Sequence, residues 1–585
     1  MIVAVIFVVL CFLCFEVSAG MNRYRHARVP SLIGSAMVRP FFSRSKKARS
    51  VSISNNLIGL RGGDEESERD ESSVEKGDDE ERYSRQVYTL GARAHSLIRK
   101  SSVIIDGPIS SGLMYESIKN LALSGVGKIV ILTRGDGLGN ADKNIIDSTK
   151  EQNYFDSNFD DLGIMYRRGA RAECFPVEEG DDNINDLDIL LEYVKRLNPN
   201  VKIQTMARTN FFNLIETKSE GGMNAQCANT IKMIGEKPVF LSIERPESSQ
   251  IILNEACRKG AIPFVGVETA SVYGRIFCDF GDNFYVADED GETPKTTLLD
   301  KMERSTDADP KKKSDVTIHC VEGEHHDVSK GDTIEFQWGE NGSESFNRMR
   351  CQVVFVKSPI CFTAKVVVDG DSVDTISIDD FIHSVNQNVH TFSRKKIPKE
   401  INFMPLSKAK KEADDPASCI FAASDLDKSF DLSRRFAVMR AFEALDKFAE
   451  CHGRLPQPLN KEYEDDIEIF TSFIHSTSNS ESSDVFCSFA KFSRAKFMPT
   501  QAIFGALGAQ EVLKAASGLY NPIKQFLLYD CDEVLSSEFC KDKHDVLSTT
   551  NAAGMKYIIG KKTAKKLGSQ KIFVVGSGAI GCERE

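Results

Sequence analysis

The run Ser102–Asp106 (SVIID) is short, apolar and rich in β-branched residues, and a glycine-containing turn, Gly107-Pro-Ile-Ser-Ser-Gly112, follows it. Apolar residues then recur at helical spacing over Leu113–Ser124, and Lys128–Thr133 (KIVILT) returns to a strand pattern. Strand, glycine turn, helix and strand predict a right-handed βαβ unit, the opening of a doubly wound sheet. Further βα patterns run through Asp186–Leu197, Pro238–Ser242 and Ile251–Val267. Between them, Met206–Glu236 reads as an insertion, polar enough around Lys218–Glu220 to be a surface excursion.

From Arg275 the rhythm changes. Short strand-like runs (Val316–His319, Thr333–Gln337, Arg350–Lys357, Thr363–Val368) are separated by Gly/Asp turns and predict a small all-β module. From about Lys395 to Met498 the pattern is helical, as in Arg434–Cys451, where apolar residues recur three and four apart. The Ser-rich stretch Ser476–Ser483 reads as a loop, Gln501–Ser517 as a helix capped by Gly518, and Gln525–Tyr529 as another strand. Lys541–Lys566 is basic and polar, a connector. Lys571-Ile-Phe-Val-Val then predicts a strand leading into Gly576-Ser-Gly-Ala-Ile-Gly581, a full GxGxxG.

A chain of 585 residues exceeds what one core supports, so several domains are expected. Its formal net charge of −11 argues against nucleic-acid binding. That charge is uneven. Residues 20–63 hold nine Lys/Arg and no acid, whereas residues 64–81 hold eleven acids in eighteen positions, the composition of a solvated, disordered linker. Residues 1–19 (MIVAVIFVVLCFLCFEVSA) form an apolar run that ends in a small-residue pattern, and the run to Phe15 is short for a membrane span. The expectation is a cleaved signal peptide over 1–19, no stable membrane anchor after cleavage, and a transit-like presequence over 20–63. Such a pair resembles the bipartite presequences of algae with complex plastids, which implies the periplastid space. A cytoplasmic or nuclear protein behind a mispredicted start codon is the alternative. The fifteen cysteines lack framework spacing, which predicts reduced thiols.

The chemistry-bearing candidates are few. A phosphate-cradling turn needs glycines where backbone N–H groups approach the anion. Gly107 and Gly112 fit only the ends of such a loop, Pro108 lacks a donor, and Ser110 and Ser111 stand where close approach wants glycine. The turn therefore reads as one that has lost nucleotide binding, although Asp136 follows the second strand where an acid would meet a ribose. His319, Cys320, His325 and His326 could propose a metal site, but they lie in a turn region and no metal is expected. Leu60-Arg61-Gly62-Gly63 copies the tail of ubiquitin and reads as coincidence.

Two nucleotide-fold starts, the first degenerate and the second intact, resemble the ubiquitin-activating enzymes of the ThiF/MoeB-type adenylating family. Tyr83–Gly91 (YSRQVYTLG), Gly274–Gly281 (GRIFCDFG), Asp290–Pro294 (DGETP), Phe442–Pro456, Phe504–Pro522 with Gln525–Asp530, and Gln570–Glu583 (QKIFVVGSGAIGCE) all resemble segments of that family. The resemblance implies an α/β fold: a doubly wound Rossmann-like adenylation domain with an inserted small all-β module and an inserted four-helix bundle. Its parts would be an inactive adenylation domain (82–277, returning over 498–540), the first catalytic-cysteine half-domain (278–390), the bundle (391–497), a connector (541–568) and the start of an active adenylation domain (569–585).

The activity implied is ATP- and Mg-dependent adenylation of the ubiquitin C-terminus, then transfer to a cysteine thioester, with ubiquitin and ubiquitin-conjugating enzymes as partners. Arg85 matches an arginine that crosses to the ATP phosphates of the active half, and Gly576, Gly578 and Gly581 match that half's nucleotide loop. A structural ion pair is the other reading of Arg85. Where the family repeats its arginine motif before the second adenylation domain, this chain has Asn551-Ala-Ala-Gly-Met555; the missing arginine would face the degenerate site. No catalytic residue is expected in this chain, which would be the N-terminal half of the enzyme, inactive alone and binding no cofactor alone. A non-catalytic subunit of a split activator, or a ubiquitin-binding scaffold, are the alternatives.

Overall fold

The computed structural model describes residues 75–133, 160–174, 185–219, 234–291, 294–305, 315–338, 349–368, 377–413, 432–458, 463, 465–474, 480–536 and 553–571. The chain divides into two units; Thr89–Phe573 form the larger, and the smaller includes the residues up to Tyr88. Helix α1, Glu75–Leu90, begins in the acidic stretch that the composition predicts to be disordered. Acids in a first helical turn favour a helix by meeting its positive end.

Gly91, at φ +81°, separates α1 from α2 (Ala92–Lys100). Strand β1 (Ser102–Asp106), α3 (Gly112–Leu123), β2 (Lys128–Thr133), α4 (Asp161–Cys174), α5 (Asp186–Leu197), β3 (Lys202–Ala207), α6 (Arg208–Ser219), β4 (Pro238–Ile243), α7 (Glu247–Lys259) and β5 (Phe264–Ala270) follow. These five strands are parallel in the order β3-β2-β1-β4-β5. β6 (Tyr273–Asp279) runs antiparallel to β5. Every residue of β1, β5 and β6 is buried, as expected of a sheet covered on both faces. Alternate residues of β1 divide between two cores: Ile104 joins the core shared with the helical bundle, while Val103 and Ile105 join the one that contains residues of α3.

Of the stretch Met206–Glu236, residues 206–216 are no surface excursion, and residues 220–233 lie outside the described residues. The former complete β3, and α6 buries Phe211, Leu214 and Ile215 in the main core. The short half-exposed β3 shows too little alternation to be legible, and α6 has almost no apolar asymmetry around its axis.

β7 (Phe284–Val286) leads to the inserted module. Its strands β8 (Thr296–Arg304), β9 (Asp315–Cys320), β10 (Thr333–Trp338), β11 (Met349–Ser358), β12 (Cys361–Val368) and β13 (Val389–Lys395) close into a barrel ordered β10-β11-β12-β9-β8-β13. Closure removes both sheet edges. Helix α8 (Ile378–Asn388) precedes β13 and adds Phe381 and Val385 to the barrel core. The two strands of linking chain are tied together, since Lys396 pairs with Asp288 at 2.6 Å and Arg394 with Asp290 at 2.6 Å. β14 (Lys399–Ile401) pairs with β7.

The bundle consists of α9 (Leu406–Glu412), α10 (Leu432–His452), α11 (Asp466–Ser472) and α12 (Ser480–Phe492). Ser480–Ser483 opens α12 rather than lying in a loop, because serine is tolerated in a first helical turn and the apolar face from Val485 onward sets the helix. Phe442, Phe470 and Phe489 interlock in its core, with ring centroids 5.1 Å (Phe442–Phe489) and 6.1 Å (Phe470–Phe489) apart. α13 (Met498–Ser517) then returns to the sheet and ends at Gly518, whose φ of +66° is the left-handed cap that glycine allows. β15 (Phe526–Tyr529) adds to β6, and α14 (Ala553–Ile559) and α15 (Lys561–Gly568) end the described chain. Among the described residues no helix is long and apolar enough to cross a membrane.

Candidate functional site

An open doubly wound sheet binds ligands where its strand order reverses, at the carboxyl ends of the strands. Here the reversal lies between β1 and β4, so the crevice is bounded by Asp106, the turn 107–111 and Glu244. In a working nucleotide fold that crevice holds an anion against a helix N-terminus. In this chain it is filled with the protein's own charged groups.

The Asp160 carboxylate sits at the start of α3. Its Oδ2 accepts from the Gly112 N–H at 2.9 Å and from Gln501 Nε2 at 3.1 Å. Its Oδ1 accepts from the Gly163 N–H at 2.8 Å, capping α4. Asp160 is fully buried, and a Cβ on Gly112 would lie 2.6 Å from Leu162 Cβ and 2.7 Å from Gly163 N. Glycine is thus required at 112 by the close approach of this chain, not by room left for a ligand. Burial raises the carboxyl pKa of Asp160 above the ordinary aspartate range, the charge of Glu244 adds to the rise, and the two backbone N–H groups oppose it.

Glu244 occupies the opposite wall. Ser111 donates to its Oε2 at 2.8 Å, Thr269 donates to its Oε1 at 3.0 Å, and Lys496 Nζ lies 2.7 Å from Oε1. Its backbone is held at φ +48°, a left-handed conformation that costs a non-glycine residue energy and places the carboxylate under the turn. At the end of β1, Asp106 Oδ1 accepts from Arg208 at 2.7 Å and Arg245 at 2.9 Å. Burial alone would raise the Asp106 pKa; Arg245 and Arg208 outweigh it and hold the carboxyl below its ordinary range.

A second charged hub joins the sheet to the bundle. Arg275 of β6 is buried and meets Glu268 at 2.7 Å, Glu247 at 3.2 Å and Asp446 of α10 at 3.7 Å, with its guanidinium 5.0 Å from the centroid of the Phe442 ring. Lys410 of α9 pairs with Glu247 and, at 3.4 Å, with Glu443.

Of the residues named from sequence, Arg85 lies on α1 with its side chain exposed. Gly576, Gly578, Gly581 and Asp136 lie outside the described residues. Gly107 and Gly112 flank the turn, and of the two Gly112 donates its N–H to Asp160. His319 pairs with Glu303 at 3.0 Å, and His326 Nε2 sits 2.8 Å from the Ser358 carbonyl with its ring against Phe362. Among the described residues no three His, Cys, Asp or Glu side chains are grouped to hold a metal. Sequence reasoning missed Asp106, Asp160, Arg208, Glu244, Arg245 and Lys496. Only Asp160 carried a local signal, as a cap residue immediately before a helical pattern.

Residues 397–478 match the model of the "Ubiquitin-activating enzyme E1 four-helix bundle". The chain is 26% identical to the human protein "Ubiquitin-like modifier-activating enzyme 1" over 518 residues, 86% of this chain and 41% of the relative. It is 27% identical to "Ubiquitin-activating enzyme E1 1" of Arabidopsis thaliana over 551 residues, 92% of this chain and 44% of that one. The Dictyostelium discoideum protein "Ubiquitin-like modifier-activating enzyme 1" is 25% identical over 86% of this chain and 42% of its own. The chain thus spans about two-fifths of the length of the curated relatives it matches. With its mostly parallel sheet, inserted barrel and matching bundle, it is a homologue of the N-terminal portion of the ubiquitin-activating enzymes.

Proposed function

We propose that this chain is the non-catalytic part of a ubiquitin-activating enzyme, which uses ATP and Mg to adenylate the C-terminus of ubiquitin and passes it to a cysteine thioester for conjugating enzymes to collect. Its contribution would be to scaffold the active adenylation fold and to supply Arg85 to the ATP phosphates held at Gly576, Gly578 and Gly581. A permanently charged guanidinium suits charge that develops during adenylate formation.

The observation that carries this reading is an internal repeat. Gly91 (φ +81°, ψ 153°) and Gly560 (φ +80°, ψ 154°) adopt the same unusual conformation, each between two helices. Aligning them places Gly554 six residues before Gly560, as Arg85 is six residues before Gly91. Gly554 lies at the first crevice, where its N–H donates to Asp161 at 3.2 Å. The repeat thus supports a matching place for Arg85 at the second nucleotide turn.

ATP–pyrophosphate exchange dependent on ubiquitin tests it. The 585-residue chain alone should show background exchange. Supplied with the C-terminal remainder of a related enzyme, it should exchange, and Arg85→Ala should lower the rate by about 10²-fold, the effect of removing one charge-stabilising donor. Exchange by the chain alone, or an Arg85→Ala rate equal to wild type, would overturn the reading.

We also infer from the composition of residues 1–63 that the protein is delivered to the periplastid space of a complex plastid. A fluorescent fusion of these residues, expressed in an alga with such a plastid, should ring the plastid. A uniformly cytosolic signal would refute this route.

A further inference from the structure

Asp160 and Asp161 are adjacent in sequence, yet their carboxylates serve three different helix starts. Asp160 takes the Gly112 N–H of α3 and the Gly163 N–H of α4. Asp161 takes two amides of the first turn of α14, Gly554 N–H at 3.2 Å on Oδ1 and Met555 N–H at 2.6 Å on Oδ2. The partners lie 393 and 394 positions away in the chain. Each helix start presents unsatisfied N–H groups and the positive end of its dipole, so three such ends in one place favour acceptors with negative charge between them. A bound nucleotide would bring that charge as phosphate. Here the chain brings it as a dipeptide.

We propose that Asp160–Asp161 is a closing latch, which fastens the connector helix α14 across the degenerate crevice and makes its docking independent of any nucleotide. The backbone supports this contact. Asp160 pairs with Lys496, which pairs in turn with Ser271, so the dipeptide is anchored between the β5–β6 turn and the chain leaving the bundle. Side chains beyond the amides hold α14 as well: Tyr557 and Ile558 are buried, and the Tyr557 hydroxyl donates to the Lys491 carbonyl of α12 at 2.8 Å. The latch therefore sets where the helix begins and which way its first turn faces, while apolar packing holds its body.

Hydrogen–deuterium exchange on the whole chain tests this without ubiquitin or activity, so its failure would leave the proposed function standing. In Asp161→Ala the amides of 553–559 should exchange about ten-fold faster, the effect of losing two capping bonds, with β1 and β4 unchanged. Asp161→Asn, which keeps one acceptor oxygen and loses the charge, should fall between, and Asp188→Ala, an exposed acid on α5, should match wild type. ATP–Mg should leave protection over 107–116 and 553–559 unaltered in the wild-type chain. If Asp161→Ala fails to fold, Asp161→Asn decides alone. Wild-type protection of 553–559 in Asp161→Asn, or a rise in protection over 107–116 on adding ATP–Mg, would overturn the latch.

Discussion

Arg275→Ala should remove a large part of the stability of the described fold. The side chain is buried and balances Glu268, Glu247 and Asp446, whose side chains are 7%, 12% and 7% exposed. Deleting one partner of a buried ion pair costs about 3–5 kcal/mol, because the other charges are left without compensation. Here Glu268 and Asp446 would lose the guanidinium while Glu247 keeps Lys410, against a typical stability of about 5–15 kcal/mol for a whole domain. Burial already raises the Glu268 pKa, and Arg275 is the main group opposing it. Without Arg275, Glu268 would take a proton at higher pH. The deficit should therefore shrink on acidification from pH 7 to pH 5, because less work is then needed to neutralise it. Arg275→Lys keeps a charge but loses the fork that serves two carboxylates, so it should lie between. Urea unfolding followed by circular dichroism reads all three. A loss below about 1 kcal/mol for Arg275→Ala, the level of an exposed pair, would show that the hub is not a structural centre.

Asp106→Asn is the second large effect, with an expected loss of about 3 kcal/mol, the lower end of the range for breaking a buried pair. Asp106 is fully buried, while Arg208 and Arg245 are 15% and 12% exposed and can recover part of their solvation. The pH dependence differs from that at Arg275. The Asp106 carboxyl is depressed, so its contribution is complete above the ordinary aspartate range and is lost only as pH falls through the lowered value. The difference between wild type and Asp106→Asn should therefore stay constant from pH 7 down to about 4. Narrowing above that point would mean that the arginines do not outweigh burial.

Much of the architecture was readable before any coordinates. The βαβ opening, the degenerate turn, the four central barrel strands, the long α10, and Gly518 as a left-handed cap all rest on signals within about twenty residues of chain. The failures are instructive. β3 and α6 were hidden because their apolar residues lack a clean period, and only packing against Phe240 and its neighbours makes Phe211 a core residue. The barrel's closure depends on β8 and β13, which meet across some ninety residues and contribute alternations too irregular to stand out. The acidic stretch reads as disorder by composition, yet from Glu75 its residues are helical in the folded chain.

The candidate site was legible only as a loss. Sequence alone determined that the turn 107–112 lacks the glycines of a phosphate loop, and that a complete GxGxxG stands near residue 580, because spacing and residue type are local properties. What replaced the phosphate could be decided only in three dimensions. Asp106 meets arginines 102 and 139 positions away, Asp160 meets Gln501 across 341, and Asp161 meets Gly554 across 393. A carboxylate in a string of residues has no direction. It becomes a helix cap or a latch once folding has brought unpaired N–H groups within about 3 Å of it and removed the water that would otherwise satisfy both.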